Sequence, residues 1–568
     1  MPIGLSNFQE LAKESYTYID KTLFIKEVLD TGNKVLLITR PRRFGKTLNM
    51  RMLYAFLSNK KLEEDPFEHL AITQAAPHYQ AERGKRPVLY LSFKDIKGST
   101  WEKAFQEMQI LLAGLVNKNL LQASVQELTD EKQYVLRQVG ALRANDTETG
   151  HTLKLLTELL ALQHGEKPWV LIDEYDTPMQ AAYQHGFYHE MRDLMRSLLS
   201  GSLKDNNYLH KSVITGILRV AKEDIFSGLN NLGTYGVMDK GFSKHFGFTQ
   251  EEVDALLEVK GLGTHKKTVR DWYNGYQFGS TTIYNPWSIT NFVDREEEYP
   301  KCYWVNTSNN YLVHSLLARA DAEVKQDVQT LLQHPTGHTI SKKIHDYIPL
   351  SELEDDASNL WSILLVSGYL TAIKPKKADL GDTNATGLRF PNKEVRSLYE
   401  GLVERWIERK HQGFSGAKLI SYLKQNDIES FAEYFPMLFN ASASYFDAGN
   451  NQPEKFYHGF LVGMLQHLRH EYSVLSQRES GVGRYDLALI PQDKTRAGFV
   501  FEFKRCPKKG SLETIRRQLA DDAKVAIAQI KARTYPQGLF AEGVNVVHAI
   551  GFAFSGKEVS VAFETLTA

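Results

Sequence analysis

Cysteine is scarce in this chain, which argues against small domains stabilised by disulfides or by cysteine-bound zinc. The 568 residues include only two cysteines, Cys302 and Cys506. Because the two lie far apart in the sequence, they fit neither a disulfide framework nor the closely spaced pairs of a zinc knuckle. We therefore expect the protein to work in a reducing compartment.

Long apolar segments and a surplus of charge are missing as well. The longest uncharged apolar run of note, residues 360–373, is well short of the roughly 20 residues that a membrane helix needs. The N-terminus has no basic-then-apolar signal pattern, so we predict a cytoplasmic protein without a membrane partner. Basic and acidic residues number 68 each, so any basic surface has to be local.

A glycine–lysine–threonine triplet follows a short apolar segment. Residues 34–39, KVLLIT, predict a buried parallel strand, and Gly45, Lys46 and Thr47 then open a predicted helix. Strand, tight loop and helix start form the context of a phosphate loop, in which backbone N–H groups hold anionic oxygens. We expect Lys46 to reach the β- and γ-phosphates of ATP and the Thr47 hydroxyl to bind Mg²⁺.

Arg40 stands where the pattern G-x-x-x-x-G-K-[ST] has its first glycine. Arginine does not take the positive φ that glycine takes freely, so the entry to this loop must differ. Arg40, Arg42 and Arg43 are candidates to contact nucleotide phosphates or a neighbouring subunit. The other interpretation is a solvated basic turn.

A pair of acids ends a second apolar strand. In PWVLIDEYD the predicted strand 169–172 runs into Asp173, expected to hold Mg²⁺, and Glu174, expected to orient the attacking water. Adjacent buried acids are costly unless an ion compensates them, and the other interpretation is a strand that ends in solvated acids. A further predicted strand, KSVITGILR, contains Thr215, with Arg219 just beyond. Each of these two is either a γ-phosphate sensor or a satisfied polar group at a strand end.

Five motifs between residues 18 and 289 resemble the AAA-ATPase-like family of bacteria and archaea. They are YIDKT, RPRRFGKT, LIDEYDTP, TGILRVAKEDIFSGLNNL and WYNGYQFGSTTIYNPWSI. In that family the loop reads RPRRFGK[ST], so Arg40 is the family's version of the first position. The resemblance implies an α/β P-loop NTPase of the ASCE or AAA-like type over residues 1–290, with a parallel sheet, ATP and Mg²⁺. It also implies a homo-oligomer in which a neighbour's arginine completes the site.

Residues 291–445 contain no catalytic motif. The pattern predicts a mainly helical region in which a helix and a strand precede a polar tip, a second strand and an amphipathic helix. A winged-helix-like module and a helical lid both fit this pattern.

A second group of chemically active residues occupies the C-terminal part. Asp486 precedes Glu502 by 16 positions and Lys504 by 18. In FVFEFK, Glu502 and Lys504 share one face of a predicted strand, while the phenylalanines share the other. If Asp486 ends the adjacent strand, two carboxylates and an ammonium converge. Carboxylates suit Mg²⁺ or Mn²⁺, which activates a water toward a phosphodiester, and Lys504 would stabilise the developing charge.

This arrangement resembles the PD-(D/E)xK nuclease superfamily, in particular the nuclease-like domain that often follows the same ATPases. The resemblance implies a restriction-endonuclease-like α/β domain over residues 446–568. It makes His458 a candidate further metal ligand, although a hydrogen-bonded core histidine fits the same position. The segment from Gln529 to Tyr535 resembles the helix motif of such nucleases.

The neighbourhood of the second group is basic. From Asp493 to Arg533 there are eleven Lys or Arg and five Asp or Glu, as a phosphate backbone requires, although such a run also suits a solvated face. We predict an ATP-dependent or ATP-regulated nuclease that acts on DNA, or on RNA, in defence or DNA processing. The alternative is a nucleotide-switched nucleic-acid-binding or scaffolding protein with an inactive nuclease fold. A third possibility retains cleavage and uses ATP only as an allosteric ligand.

Overall fold

The chain divides into two compact units. Unit 1 comprises Met1–Arg319 and Thr339–Arg396, and unit 2 comprises Ala320–His338 and Ser397–Ala568. The computed structural model describes residues 1, 3–13, 16–59, 64–120, 128–219, 225–226, 231–295, 300–305, 313, 316–317, 321–332, 339–345, 347, 357–373, 385–410, 416–443, 461, 465, 468, 471–476, 479–480, 483–484, 486–506, 510–555 and 558–568.

The first part of unit 1 alternates strands and helices. Its strands are β1 (Val35–Thr39), β2 (Val88–Ser92), β3 (Trp169–Asp173), β4 (Lys211–Gly216) and β5 (Leu232–Tyr235). Its helices are α1 (Phe8–Lys13), α2 (Leu23–Asp30), α3 (Lys46–Leu57), α4 (Pro77–Gln80), α5 (Trp101–Leu120), α6 (Asp130–Gly140), α7 (Asp146–His164), α8 (Thr177–His185) and α9 (Tyr188–Leu203).

These five strands form one parallel sheet in the order β2-β3-β4-β1-β5. Every residue of β1 and β3 is buried, which explains why both segments are nearly continuous apolar runs. Because β4 lies between β1 and β3, the carboxyl ends of these two strands are about 10 Å apart at the same edge of the sheet. Both N-terminal motifs, the glycine–lysine–threonine triplet and the pair of acids, lie at this edge.

The rest of unit 1 contains two small antiparallel sheets and several helices. A hairpin pairs β6 (Asn274–Phe278) with β7 (Thr281–Tyr284), and a second sheet has the order β8-β10-β9, from β8 (Ile340–Lys343), β9 (Thr371–Ile373) and β10 (Ala385–Arg389). The helices here are α10 (Gln250–Val259), α11 (Lys266–Tyr273), α12 (Pro286–Arg295), α14 (Ala357–Val366) and the start of α15 (Lys393–Lys410). Helix α13 (Ala322–Leu332) belongs to unit 2.

Unit 2 is built around a mixed sheet of order β11-β14-β15-β16-β17. Its strands are β11 (Tyr472–Ser476), β14 (Leu487–Pro491), β15 (Gly498–Arg505), β16 (Val546–Ser555) and β17 (Glu558–Thr567), and β12 (Glu479–Ser480) pairs separately with β13 (Gly483–Arg484). Its further helices are α16 (Gly416–Lys424), α17 (Ile428–Ala443), α18 (Leu512–Ala532) and α19 (Tyr535–Ala541).

The two faces of the unit 2 sheet bury different side chains. Phe501 and Phe503 pack in a cluster with residues of α16 and α17, whereas Val500 packs in a cluster with residues of α18 and α19. Glu502 and Lys504 have the parity of Val500 and therefore lie on the α18 side. The sheet thus has helices on both faces, the layer arrangement of an α/β unit.

The predicted fold class is confirmed: an N-terminal parallel sheet and a C-terminal mixed sheet make the chain α/β. The helix, two strands and helix predicted in the middle region are α14, β9, β10 and α15. The domain boundaries at residues 290 and 445 stay predictions. Within the described parts of the chain, no helix combines the length and the apolar character that crossing a membrane requires.

Candidate functional sites

The loop between β1 and α3 has the backbone of an anion-binding turn. Gly45 (φ 85°) and Arg43 (φ 64°) both take left-handed conformations, and the helix begins at Lys46. Alternating left-handed and ordinary residues turn successive N–H groups toward one concavity, where an anion binds. The positive φ that the phosphate-loop pattern assigns to its first glycine is therefore supplied at Arg43 rather than at Arg40.

The Lys46 side chain is folded back over this loop. Its Nζ donates to the carbonyl oxygens of Arg40 at 3.1 Å and Pro41 at 3.0 Å, and the residue is only 6% exposed. Burial lowers the pKa of Lys46, and nearby Glu174, Asp176 and Asp173 oppose that shift. The lysine of the loop is thus electrostatically coupled to the acids that follow β3.

Those acids occupy a strained turn. Glu174 has a φ of 53°, a left-handed conformation that costs a non-glycine residue about 1–3 kcal/mol. The next residue, Tyr175, donates its N–H to the carbonyl of Thr215 at 3.0 Å, which ties the turn to β4. Burial raises the pKa of the Glu174 carboxyl, and Lys46 opposes the rise. Such an outlier next to a cavity is typical of residues held for function.

Asp176 is a site residue that the sequence reasoning did not identify. Its Oδ2 accepts bonds from the N–H groups of Ile217 at 3.1 Å and Leu218 at 2.9 Å and from Gln180 Nε2 at 2.7 Å. Burial raises the pKa of this carboxyl, and the Leu218 N–H opposes the rise. A Cβ on Gly216 would lie 2.5 Å from Asp176 Oδ1, so only glycine fits there. The sequence signal that could have identified Asp176 is its place as the third acid of LIDEYD.

A cavity of about 1140 Å³ opens over the loop and the acids. Its lining includes Lys46, Thr47, Glu174 and Asp176, together with Arg42 and Arg43. These residues fit a nucleoside triphosphate with Mg²⁺, because cations and loop N–H groups face the phosphates while the Thr47 hydroxyl and carboxylates suit the ion. Of the predicted nucleotide-binding residues, Gly45 also lines the cavity.

Arg40 does not reach this cavity. It is fully buried, and its guanidinium donates to the carbonyls of Tyr235 at 2.9 Å and Gly241 at 3.1 Å. The same group lies between the rings of Phe246 and Phe278, 5.3 and 5.2 Å from their centroids. Burial lowers its pKa to about 9. Arg40 therefore connects the end of β1 to Tyr235 and Gly241 and does not line the candidate nucleotide cavity.

The predicted sensor residues both have side-chain partners within the protein. Thr215 Oγ1 donates to Asp173 Oδ1 at 2.7 Å, and both residues are buried. Arg219 pairs with Asp239 and is 7% exposed. Thr215 therefore orients the acid assigned to Mg²⁺, and a response of either residue to the γ-phosphate stays a prediction.

In unit 2 the structure brings Asp486, Glu502 and Lys504 together. Asp486 immediately precedes β14, and its Oδ2 accepts the N–H of Phe503 at 2.9 Å. Lys504 Nζ lies 3.8 Å from Glu502 Oε1. Because β14 and β15 pair antiparallel, with Leu487 opposite Phe501, the acid before β14 meets the end of β15. The required convergence of two carboxylates and an ammonium is present.

Gln529 of α18 bridges the two strand residues. Its Oε1 accepts a bond from Lys504 Nζ, and its Nε2 donates to Glu502 Oε1. Arg533, four residues later on the helix, donates to the hydroxyl of Tyr535 at 3.1 Å. The helix motif predicted from Gln529 to Tyr535 therefore adjoins the strand residues.

Glu502 has the electrostatics expected of a metal-binding carboxylate. Burial and the neighbouring Asp486 raise its pKa to about 7, while Lys504 and Arg533 oppose the rise. Its Oε2 is buried and has no hydrogen-bond partner among the described residues. A buried carboxylate oxygen left without a partner is costly, and a divalent cation shared with Asp486 would compensate it. The residues therefore fit Mg²⁺ or Mn²⁺.

Each site offers a small number of protein ligands. In the described part of the chain, no three His, Cys, Asp or Glu side chains form a metal-binding group. Two carboxylates completed by water and phosphate oxygens are sufficient for Mg²⁺. The predicted ligand His458 lies outside the described residues.

Comparison with known proteins supports the two resemblances. Residues 2–226 match the family model described as predicted AAA-ATPase, and residues 452–564 match that of the PD-(D/E)XK nuclease superfamily. A protein of Azotobacter chroococcum mcd 1, described as an uncharacterized protein in the vnfD 5′ region, is 26% identical over 572 residues. That similarity covers 99% of this chain and 97% of the relative. Both resemblances are confirmed, and the architecture fits an ATPase joined to a nuclease-like domain.

Proposed function

We propose that this chain, with its ATPase-family and nuclease-superfamily regions, is an ATP-dependent or ATP-regulated nuclease that cleaves DNA. One observation carries the proposal: each unit gathers a lysine and at least two carboxylates at one edge of its sheet. Lys46 adjoins Glu174 and Asp176 in unit 1. Lys504 adjoins Glu502 and Asp486 in unit 2. A role in defence or DNA processing belongs to the same proposal.

In unit 1 the loop N–H groups and Lys46 would bind the phosphates, and Thr47 and Asp173 would hold Mg²⁺. When bound, the ion would neutralise negative charge on the phosphates. Glu174, fixed by its left-handed backbone, would orient the attacking water and accept its proton. Asp176, whose Oδ2 accepts three hydrogen bonds, would fix the turn that presents Glu174.

In unit 2 Asp486 and Glu502 would hold Mg²⁺ or Mn²⁺, which activates water toward a phosphodiester. Lys504 would turn from Gln529 to the scissile phosphate and stabilise the charge on its oxygens. Gln529 would retain its bond to Glu502 and so fix the carboxylate in position. The nearby basic residues would bind the backbone of DNA, or of RNA.

The alternative is a nucleotide-switched binding or scaffolding protein whose nuclease fold does not cleave. One observation favours it: Gln529 engages both Glu502 and Lys504, as it would in a site kept inert. The two functions make opposite predictions for the same variants.

The deciding experiment assays supercoiled and linear DNA with Mg²⁺ or Mn²⁺, with and without ATP. Asp486→Ala and Lys504→Ala are expected to lower cleavage at least 100-fold and to leave ATP hydrolysis unchanged. Asp521→Ala, an exposed acid on α18, is the matched control and should behave as wild type. If wild type and both site variants are equally inert on every substrate, the nuclease proposal is wrong and the scaffold is supported.

A second arm separates hydrolysis from binding. Glu174→Gln is expected to lower ATP hydrolysis at least 100-fold with ATP affinity retained, because only the orientation of water is lost. The control is Glu190→Gln on the exposed face of α9. Cleavage that falls with Glu174→Gln supports a hydrolysis-driven enzyme, whereas unchanged cleavage assigns ATP an allosteric role. Light scattering with an ATP analogue tests the proposed homo-oligomer.

A further inference from the structure

The phosphate loop is bonded to a tryptophan far along the chain. Trp304 Nε1 donates to the carbonyl oxygen of Arg42 at 3.1 Å, and Trp304 is 2% exposed. The residue lies beyond the ATPase-family match, which ends at residue 226. This bond fixes the direction of a main-chain carbonyl in the candidate phosphate loop.

Trp304 is itself fixed from two sides. Its backbone N–H donates to Glu394 Oε1 at 2.6 Å, and the other oxygen of Glu394 accepts from Ser288 Oγ at 2.7 Å. Its ring packs against Tyr276 and Tyr369, with centroid distances of 6.2 and 5.2 Å. Glu394 and Ser288 are fully buried, so this support is part of the core of unit 1.

The same region contacts two other loop positions. The Phe44 ring meets Tyr276 edge-on, with centroids 4.9 Å apart. A Cβ on Gly368 would lie 3.0 Å from Pro41 Cβ, so the backbone at Gly368 closely approaches the loop. Residues 41, 42 and 44 are therefore each held from outside the family match, and the Arg42 carbonyl is held by a directional bond.

We propose that Trp304 is a positioning residue of the phosphate loop and that Glu394 positions Trp304. A peptide group is planar and trans, so fixing the Arg42 carbonyl also fixes the Arg43 N–H, which points the opposite way. Arg43 lines the cavity and has the left-handed φ that shapes the loop. The inference rests on the proposed ATP site and extends it to residues outside the family match.

The test compares two substitutions of buried tryptophans. Trp304→Phe keeps an aromatic ring and removes the donor; Trp169→Phe is the control, because the Trp169 indole N–H has no partner among the described residues. Binding of ADP and a non-hydrolysable ATP analogue is measured by calorimetry. Trp304→Phe is expected to weaken both about tenfold, as the loss of one well-placed hydrogen bond does, and Trp169→Phe to change them less than twofold. The KM for ATP should rise more than kcat falls.

Replacement of Trp304 with benzothienylalanine keeps the volume of the side chain and exchanges the N–H for sulfur. If Trp304→Phe fails to fold, this variant tests the role of the indole N–H in its place. It should weaken nucleotide binding to the same extent. Glu394→Gln retains an oxygen acceptor for the Trp304 N–H and is expected to bind ATP within twofold of wild type.

Lys46→Ala separates failure of this inference from failure of the proposed function. If Lys46→Ala binds ATP as wild type does, the ATP site itself is wrong. If Lys46→Ala loses ATP while both Trp304 variants bind it as the Trp169→Phe control does, only the positioning role is overturned.

Discussion

At the scale of single residues, the buried polar side chains of unit 1 account for more of the geometry of its candidate site than the apolar side chains do. Asp176, Arg40 and Glu394 are each buried, and each is bonded to main-chain or side-chain groups distant in sequence. Their partners come from elements that only the fold brings close. The sequence therefore predicted residues that act next to a recognisable strand or loop, such as Lys46 and Glu174, and missed those defined by remote partners.

Arg40 illustrates the limit of motif reasoning. The sequence identified it as a departure from the glycine pattern, and it correctly implied a different entry to the loop. Whether the guanidinium faced a phosphate or the core depended on the carbonyls of Tyr235 and Gly241, about 200 positions away. No local pattern encodes that pairing.

We expect Glu394 to make the stability of unit 1 depend on pH. Burial raises its pKa to about 7 from 4.5, so the folded state favours the protonated form, and stability is lost as pH rises through 7. Glu394→Gln does not titrate and should be more stable than wild type at pH 8.5 by on the order of 2 kcal/mol, with little difference at pH 4.5. Denaturant unfolding at the two pH values measures this.

The matched control is Glu190→Gln on the surface of α9, which is expected to alter neither curve. An advantage of Glu394→Gln that is equal at both pH values would contradict the assignment. In that case packing, and not titration, would explain the change.

At the scale of elements, the alternation of hydrophobic and polar residues was sufficient to predict the two faces of β15. Phe501 and Phe503 alternate with Glu502 and Lys504, and the two pairs lie on opposite faces of β15. The alternation does not predict which helix covers the polar face of β15. The contribution of Gln529 from α18 depends on how closely that helix approaches β16.

Gly551 sets this approach. A Cβ there would lie 2.2 Å from the Ala523 carbonyl oxygen of α18, a backbone atom that cannot turn away. Gly551→Ala is expected to shift α18, lower the free energy of unfolding by about 1–3 kcal/mol and weaken cleavage by displacing Gln529. ATP hydrolysis should remain. Thermal unfolding together with the two activity assays measures these effects.

Gly114→Ala in α5 is the control, because a Cβ at Gly114 would meet no atom within 4 Å. It is expected to stabilise the protein by about 0.5–1 kcal/mol, the usual gain of alanine over glycine in a helix. Folded Gly551→Ala protein with normal cleavage would show that α18 does not control the site.

At the scale of the whole molecule, a formal charge of zero conceals an uneven distribution. In α18, Arg517 and Lys524 are exposed and form no ion pair with the described residues, while Arg516 and Lys531 pair with Glu558 and Glu564. Arg517 and Lys524 are therefore the cations of α18 that we expect to contact a nucleic-acid backbone. The sequence predicted the local excess but not which of its members are already neutralised.

We expect DNA affinity to depend on these two residues and on salt. Replacing Arg517 and Lys524 with Ala should weaken duplex binding severalfold and reduce the slope of log affinity against log salt by about 2, because each side chain that neutralises a phosphate releases about one counterion. Fluorescence anisotropy across a salt series measures both effects. The control replaces Lys103 and Lys118, two exposed lysines of α5, and an equal effect there would contradict a binding surface on α18.

The bonds that Lys46 makes to the Arg40 and Pro41 oxygens have a consequence for the ligands that the proposed phosphate loop would accept. An incoming ligand competes with two neutral peptide oxygens for a cation already removed from water. Anionic oxygens form hydrogen bonds roughly twice as strong as neutral ones, so we expect a polyphosphate to displace the two peptide oxygens and an uncharged nucleoside not to. On this proposal the loop selects its ligand by charge before any nucleobase is recognised.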